Sequence, residues 1–382
     1  MEAMVRMMRM EVYGLVKEEI TLRQFILLMI LFIIGTSILL SPASLAASAD
    51  NDAWISALVA MGAGLVIIVL FWIISQQFPE RNLVDISELV LGKWLGKAVS
   101  LLFSYFALIS AASVLWTVGN FLVTQIIVRT PALVIHFLVM FAVVYGIQLG
   151  IETICRTAEI FFPYIVTLLS IIYLFSIPSV EIKQIQPLLD SSFKQISEGA
   201  AFDISVSVLP LIVLLMVFPK YVSEKKRMLP KILLGYVCAY FFIVAITFIT
   251  TTVLGVRVTA NQSYPTYVIA KSLNIEGLIQ RAEVIIAVSW ILTIFFKLSM
   301  YFYASVTVLA QTIGLTSYRS ITIPMGLITI ALSLIIYPST IYANDWNETT
   351  WLWFSLTFGF VYPLLLSVIG RLRGKSISSN NS

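Results

Sequence analysis

The sequence has little charge. Lys, Arg, Asp and Glu make up 12% of its 382 residues, where soluble proteins carry roughly 25%. It has one histidine and two cysteines. Cys155 and Cys238 lie far apart and form no CxxC pair, so neither a disulfide framework nor a thiolate metal site follows. A single histidine excludes an HExxH zinc motif. The apolar stretches hold no clustered carboxylates, and no glycine-rich loop is built to cradle phosphate. The usual parts of a catalytic site are missing, so an enzyme is not expected, nor a cofactor or a metal. The net charge of +4 is too small to suggest a nucleic-acid partner.

What is present is apolar. Hydrophobic residues make up 59% of the chain, and its mean hydropathy is +0.97. A soluble core of this size cannot hide that much apolar surface, so the expected solvent is the lipid bilayer. Uncharged stretches cover 24–49, 53–79, 98–128, 157–158 with 160–180, 204–219, 232–256, 320–344 and 349–370. Two more hold one ionisable residue each: 130–151 with His136, and 284–318 with Lys297. A helix rises about 1.5 Å per residue and needs about 20 residues to cross. Each stretch supports one crossing, which predicts ten transmembrane helices. Residues 44–49 faintly resemble a signal-peptidase site, but the polar leader before the first apolar run is long for a signal peptide. The first span is therefore expected to be retained.

Loop charge sets the orientation. With a cytoplasmic N-terminus, 17 of the 24 Lys and Arg residues fall in inner segments and 6 in outer loops, Lys297 being the remaining one. That asymmetry places both termini in the cytoplasm. The outer loop around 178–203 is amphipathic and reads as a short interfacial helix. The inner loop around 76–97 carries Lys93 and Trp94, residues suited to the headgroup region.

Ten spans divide into two sets of five. An odd number per set makes the second set enter from the opposite side, the arithmetic of an inverted repeat. The expected layout is one integral membrane domain over 1–382. Residues 1–23 form a cytoplasmic segment, 24–180 the first repeat, 181–203 an outer loop, 204–370 the second repeat and 371–382 a cytoplasmic tail. The first span carries Gly35, Thr36 and Ser37 near its middle and Pro42 near its end. The sixth carries Asp203 at its mouth, then Ser205, Ser207 and Pro210. Glycine weakens a helix and proline removes a donor. Matching irregularities in corresponding helices predict breaks in helices 1 and 6, with exposed backbone for a small polar ligand near midplane. Close helix packing through small residues is the alternative reading.

Lys297 is the sharpest single feature. A lysine near the middle of a span needs a carbonyl, carboxylate or water partner. It can take the place of a coupling cation by donating to carbonyls of helix 1, hold a ligand carboxylate, or snorkel to the inner interface. Helical spacing puts Trp290, Thr293, Lys297 and Tyr301 on one stripe. His136 reads as a packing residue, and Glu152 with Arg156 as an interfacial ion pair.

Several of these features recur together in a known order. The first span reads Gly35-Thr36-Ser37-Ile38-Leu39-Leu40-Ser41-Pro42, and the first inner loop Leu91-Gly92-Lys93-Trp94-Leu95-Gly96. Phe218-Pro219-Lys220 closes the sixth span before a basic run. Arg281, Glu283 and Trp290 enter the eighth, and Tyr337-Pro338 ends the ninth. On these marks the chain resembles the spore germination permease family, the B subunits of nutrient germinant receptors, within the amino acid–polyamine–organocation superfamily. The resemblance implies an all-α membrane protein of ten helices with a leucine-transporter-like fold. It implies a small nutrient germinant, typically an amino acid, bound between helices 1, 3, 6 and 8. It also implies partner A and C subunits in the inner membrane of the endospore. Carried onto this sequence, the pocket includes Gly35, Thr36, Ser37, Ser207, Pro210, Lys297 and Tyr301, with Thr293 on the same stripe. Ser37 departs from the family's second glycine, and Lys297 from the small neutral residue expected there.

Overall fold

Apolar runs in lipid fold as helices because hydrocarbon offers the backbone no other hydrogen-bond partners. The computed structural model describes residues 18–222, 228–272 and 282–374. The first 17 residues, the basic positions 225–227, Arg281 and the tail from 375 lie outside the described residues. Within them the chain is helical, with one isolated bridge between Ile20 and Val222 in place of a sheet.

The first half comprises α1 (Leu22–Ala49), α2 (Ala53–Gln77), α3 (Leu83–Leu91), α4 (Lys93–Phe121), α5 (Ala132–Leu149) and α6 (Ile151–Ser176). The second comprises α7 (Phe193–Ser207), a 3-10 segment (Leu209–Met216), α8 (Met228–Leu254), α9 (Val256–Asn261) and α10 (Pro265–Ser272). It continues with α11 (Ala282–Ile313), α12 (Arg319–Ile335), α13 (Thr340–Thr349), α14 (Trp351–Leu356), a π turn (Thr357–Val361) and α15 (Tyr362–Leu372). Among the described residues eight segments are long and apolar enough to cross a membrane, and nine when the pair α12 and α13, bent by 103°, counts as one. The first of the eight, Leu22–Gln77, is 56 residues long, about 84 Å as helix against a hydrocarbon core of about 30 Å. It contains α1 and α2, parted at Asp50–Asp52. Ten passes is the count obtained when that segment is two passes and the bent pair one.

The sixth span sits at the centre. Of its most apolar stretch 89% is buried, against 28% in Ile151–Ser179, whose outer face is left to lipid. α7, α8 and α11 each pack closely on α1, and this bundle carries the core. The loop read as inner folds as α3, and Trp94 beyond it is 86% exposed, as an interfacial anchor requires. His136 is buried, bonded through Nδ1 to Ser333 Oγ at 2.8 Å and pressed against Gly119. The ends of the spans on the side of the N-terminus are tied by Ile20 N donating to Tyr221 O (2.9 Å), Arg23 with Glu159 (3.3 Å) and the expected pair Arg156 with Glu152 (2.5 Å).

Two expectations need correction. The stretch 181–203 is not all outer loop, and it holds no separate interfacial helix. Ser192 and Gln195 form a capping box, and nothing breaks the helix until Ser207, so the sixth helix starts at Phe193. The remaining loop consists of short 3-10 turns, Ile177–Ser179 and Ile182–Ile185. It is pinned by the buried Asp52 carboxylate, which accepts from Leu189 N (2.8 Å) and Ser191 N (2.9 Å).

The second correction concerns α1, which stays helical through Gly35, Thr36, Ser37 and Pro42. Enclosure by α7, α8 and α11 outweighs the weak propensity of glycine and serine. Proline still leaves its mark. Pro42 has no N–H for the Ile38 carbonyl four residues upstream, and the Thr266 hydroxyl of α10 donates to that carbonyl at 2.7 Å. Thr266→Val is expected to cost about 1–3 kcal/mol, the range for a buried group left unpaired. Thermal unfolding in detergent measures this. Adding Pro42→Ala should recover most of the loss, because the helix then satisfies Ile38 itself.

Candidate functional site

The site is built where the sixth span changes its winding. α7 ends at Ser207, and the chain continues through Val208 into the 3-10 segment containing Pro210. A helix end leaves carbonyls without backbone partners and carries partial negative charge. Pro210 also removes the donor that the Val206 carbonyl would otherwise receive. Two side chains supply what is missing. Trp351 Nε1 donates to Ser205 O at 3.0 Å, and Lys297 Nζ to Val206 O at 2.9 Å.

Lys297 reaches this carbonyl from α11 and is 1% exposed. Its ammonium also donates to Thr36 Oγ1 at 2.8 Å and lies 5.3 Å from the centroid of the Phe32 ring. One cation thus binds α1 to the carboxyl end of α7, with the aromatic face adding a cation–π contact. It does not snorkel. Gly35 makes this geometry possible, because a Cβ there would fall 2.6 Å from Lys297 Cδ.

The remaining candidate residues hold the same seam. Ser37 Oγ and Ser207 Oγ share a hydrogen bond of 2.7 Å. One turn along, Ser41 Oγ donates to Asp203 Oδ1 at 2.5 Å, and Ser207 Oγ to the same oxygen at 3.3 Å. Thr293 Oγ1 donates to Trp290 O at 2.9 Å and reaches Gly35 O at 3.5 Å. Tyr301 packs its ring 5.2 Å from that of Phe32.

Thr36, Lys297 and Tyr301 face a small cavity of about 30 Å³, together with the Val206 backbone region, Trp351 and Asn347. Its far wall is α4, through Ser110, Ser113 and Thr117. Gly35, Ser37, Ser207, Pro210 and Thr293 do not line this cavity; Gly35, Ser37, Ser207 and Thr293 join α1 to α7 and α11 beside it. On the side of the loops read as outer lies a polar vestibule of about 110 Å³, lined by Asn261, Gln262, Ser263, Asn344, Asn347 and Glu348. Leu40 and Asn347 border both spaces. A cavity of about 30 Å³ holds a water molecule, so a larger ligand enters only if the helices that line it move apart.

Sequence reading missed several of these residues. Ser110, Ser113 and Thr117 follow helical spacing, a signal that was there to be found. Trp351 and Asn347 gave none, since nothing local ties a tenth-span tryptophan to the sixth. Asp203 was read as lying at the mouth of its helix. With the helix starting at Phe193, it is a fully buried carboxyl inside it.

Comparison with known proteins agrees with this architecture. The family model described as Spore germination protein matches residues 19–341. Spore germination protein KB of Bacillus subtilis (strain 168) is 26% identical over 366 residues, covering 94% of this chain and 96% of that one. Spore germination protein YndE of the same organism is 27% identical over 299 residues, covering 75% of this chain and 79% of that one. Among solved structures, MhsT in complex with L-phenylalanine matches with a TM-score of 0.66. That match covers 93% of this chain and 99% of that chain at 13% identity, which shows a shared leucine-transporter fold.

Proposed function

The chain belongs to the spore germination protein family, a family of transporter-like membrane proteins rather than enzymes, and on that premise we propose that it is the nutrient-sensing subunit of a spore germinant receptor. The ligand is a small nutrient germinant, an amino acid, held between α1, α4, α7 and α11. The observation that carries this reading is the buried Lys297 ammonium, set over the break in the sixth span and facing the cavity. An ammonium there suits a ligand carboxylate. The hydroxyls of Ser110, Ser113 and Thr117 and the Asn347 amide suit its polar atoms, and the Tyr301 and Trp351 rings its side chain. The solved neighbour was crystallised with L-phenylalanine, a ligand of the same class.

The two sets of five spans, 24–180 and 193–370, act as the moving parts. α1 and α7 come from different sets and both border the cavity, and in this reading ligand entry parts them. Differential binding to the open and closed seams shifts the population between two arrangements. Partner A and C subunits in the inner membrane of the endospore read that shift, with both termini on the spore-core side. Secondary active transport of amino acids uses the same pocket and is the second reading, supported by the fold.

Uptake separates the two. Proteoliposomes holding the purified protein alone should show no concentrative uptake of a labelled mixture of L-amino acids under an imposed ion gradient. Robust concentrative uptake would establish transport instead.

A further inference from the structure

A second buried ionisable group lies on the seam between α1 and α7. Asp203 is fully buried. Its Oδ1 accepts from Ser41 and Ser207, while its Oδ2 has no hydrogen-bond partner. The Tyr240 hydroxyl of α8, buried and equally without a partner, faces the same carboxyl. Two unpaired buried polar groups side by side cost more than either group's burial alone, and one hydrogen bond between them removes both deficits, its hydrogen coming from the Tyr240 hydroxyl or from a proton on the carboxyl.

The surroundings decide what supplies that hydrogen. α1 presents Ser37 and Ser41, α8 presents Tyr236 and Tyr240, α2 presents Ser56, α14 presents Trp351 and α11 presents Lys297. Lys297 is the cation of this set, and its ammonium donates to Thr36 and Val206 instead. An ionised carboxylate left in such a place is expensive unless it is paired or neutralised. A cation of sodium or calcium size coordinated jointly by Oδ1 and these hydroxyls, with oxygen bonds of about 2.3–2.6 Å, would spread them beyond about 3.2 Å. Here Ser41 Oγ lies 2.5 Å from Asp203 Oδ1, and Ser37 Oγ lies 2.7 Å from Ser207 Oγ. Those are hydrogen-bond distances.

We propose that Asp203 is a proton-binding site, holding one proton on Oδ2 directed at the Tyr240 hydroxyl and joining α1, α7 and α8 through a neutral carboxyl. The site stands whether or not the chain senses a nutrient. Its consequence for a sensor is direct. Ser37–Ser207 and Ser41–Asp203 bridge the two helices that part for a ligand in the proposed function, so opening the seam exposes the carboxyl and lets the proton leave. Ligand occupancy and proton occupancy are then linked, each altering the other's equilibrium.

Infrared difference spectroscopy on the purified full-length protein tests this without any ligand. Subtracting the Asp203→Asn spectrum from that of the wild type at neutral pH should leave one protonated-carboxyl band, unchanged when sodium replaces potassium in the buffer. Tyr240→Phe, which keeps the carboxyl and removes its acceptor, should shift that band without abolishing it, and it serves where Asp203→Asn fails to fold. A carboxylate band in place of the protonated one overturns the proposal. Sodium-dependent thermal stabilisation that Asp203→Asn loses also overturns it, by assigning a metal cation to the site.

Discussion

Spores whose copy of this protein carries Lys297→Ala should lose their germination response to the nutrient that wild-type spores sense, while the variant still reaches the membrane. The substitution removes the one ammonium at the cavity. It also leaves Val206 O and Thr36 Oγ1 without their donor and opens a void against Gly35. A buried hydrogen bond to a charged group contributes about 1.5–3 kcal/mol, so losing its counterpart in the ligand complex weakens binding by roughly 10–100-fold. Stability falls as well, and Lys297→Met separates the two effects. Methionine fills most of the stem's volume and carries no charge, so it should restore much of the thermal stability and none of the response. The readouts are nutrient-triggered loss of spore refractility, the amount of tagged protein in the membrane, and its unfolding midpoint in detergent. A normal response from Lys297→Met to every nutrient would remove the lysine from the ligand site.

Gly359→Ala should be the most damaging single methyl group added to the tenth span. A Cβ at Gly359 would fall 2.4 Å from Leu209 O and 2.6 Å from Leu209 Cβ. The first of these is backbone, in the 3-10 segment just past the break, and cannot rotate away. Gly359 itself lies in the π turn Thr357–Val361, so two irregular pieces of backbone meet at this contact. Separating them shifts Leu209 and the neighbouring Pro210, and with them the frame that places Val206 O under Lys297. Overpacking of this kind costs about 1–3 kcal/mol, and here it acts on the site as well as the core. The unfolding midpoint and the nutrient response should fall together. Gly62→Ala in α2, where an added Cβ meets nothing within 4 Å, is the control and should leave both unchanged.

The prolines show how far the sequence could be read. Pro42 and Pro210 were visible as irregularities at corresponding places in the first and sixth spans, and each does leave a carbonyl bare. The groups that satisfy those carbonyls, Thr266 and Lys297, come from distant parts of the chain, and no local pattern pairs them. The outcomes also differ. α7 gives way to a 3-10 segment after Ser207, whereas α1 remains helical because neighbouring helices enclose it on most sides. Glycine and serine at 35–37 therefore mark close approach by Lys297 and Ser207 rather than unwinding. Membrane character, helical class and the need of Lys297 for buried partners were legible because burying charge in lipid is costly enough to leave a plain trace in composition. Asp203 was not, since a carboxyl next to a polar run looks like the end of a span until the capping box at Ser192 shows where the helix begins.

The central claim is that a nutrient binds where Lys297 joins α1 to the broken sixth span. Equilibrium binding of a labelled mixture of L-amino acids to the purified protein, wild type beside Lys297→Met at equal folded concentration, tests it most directly. Saturable binding by the wild type that falls at least tenfold in the variant is the expected result, and equal binding by the two proteins would contradict it.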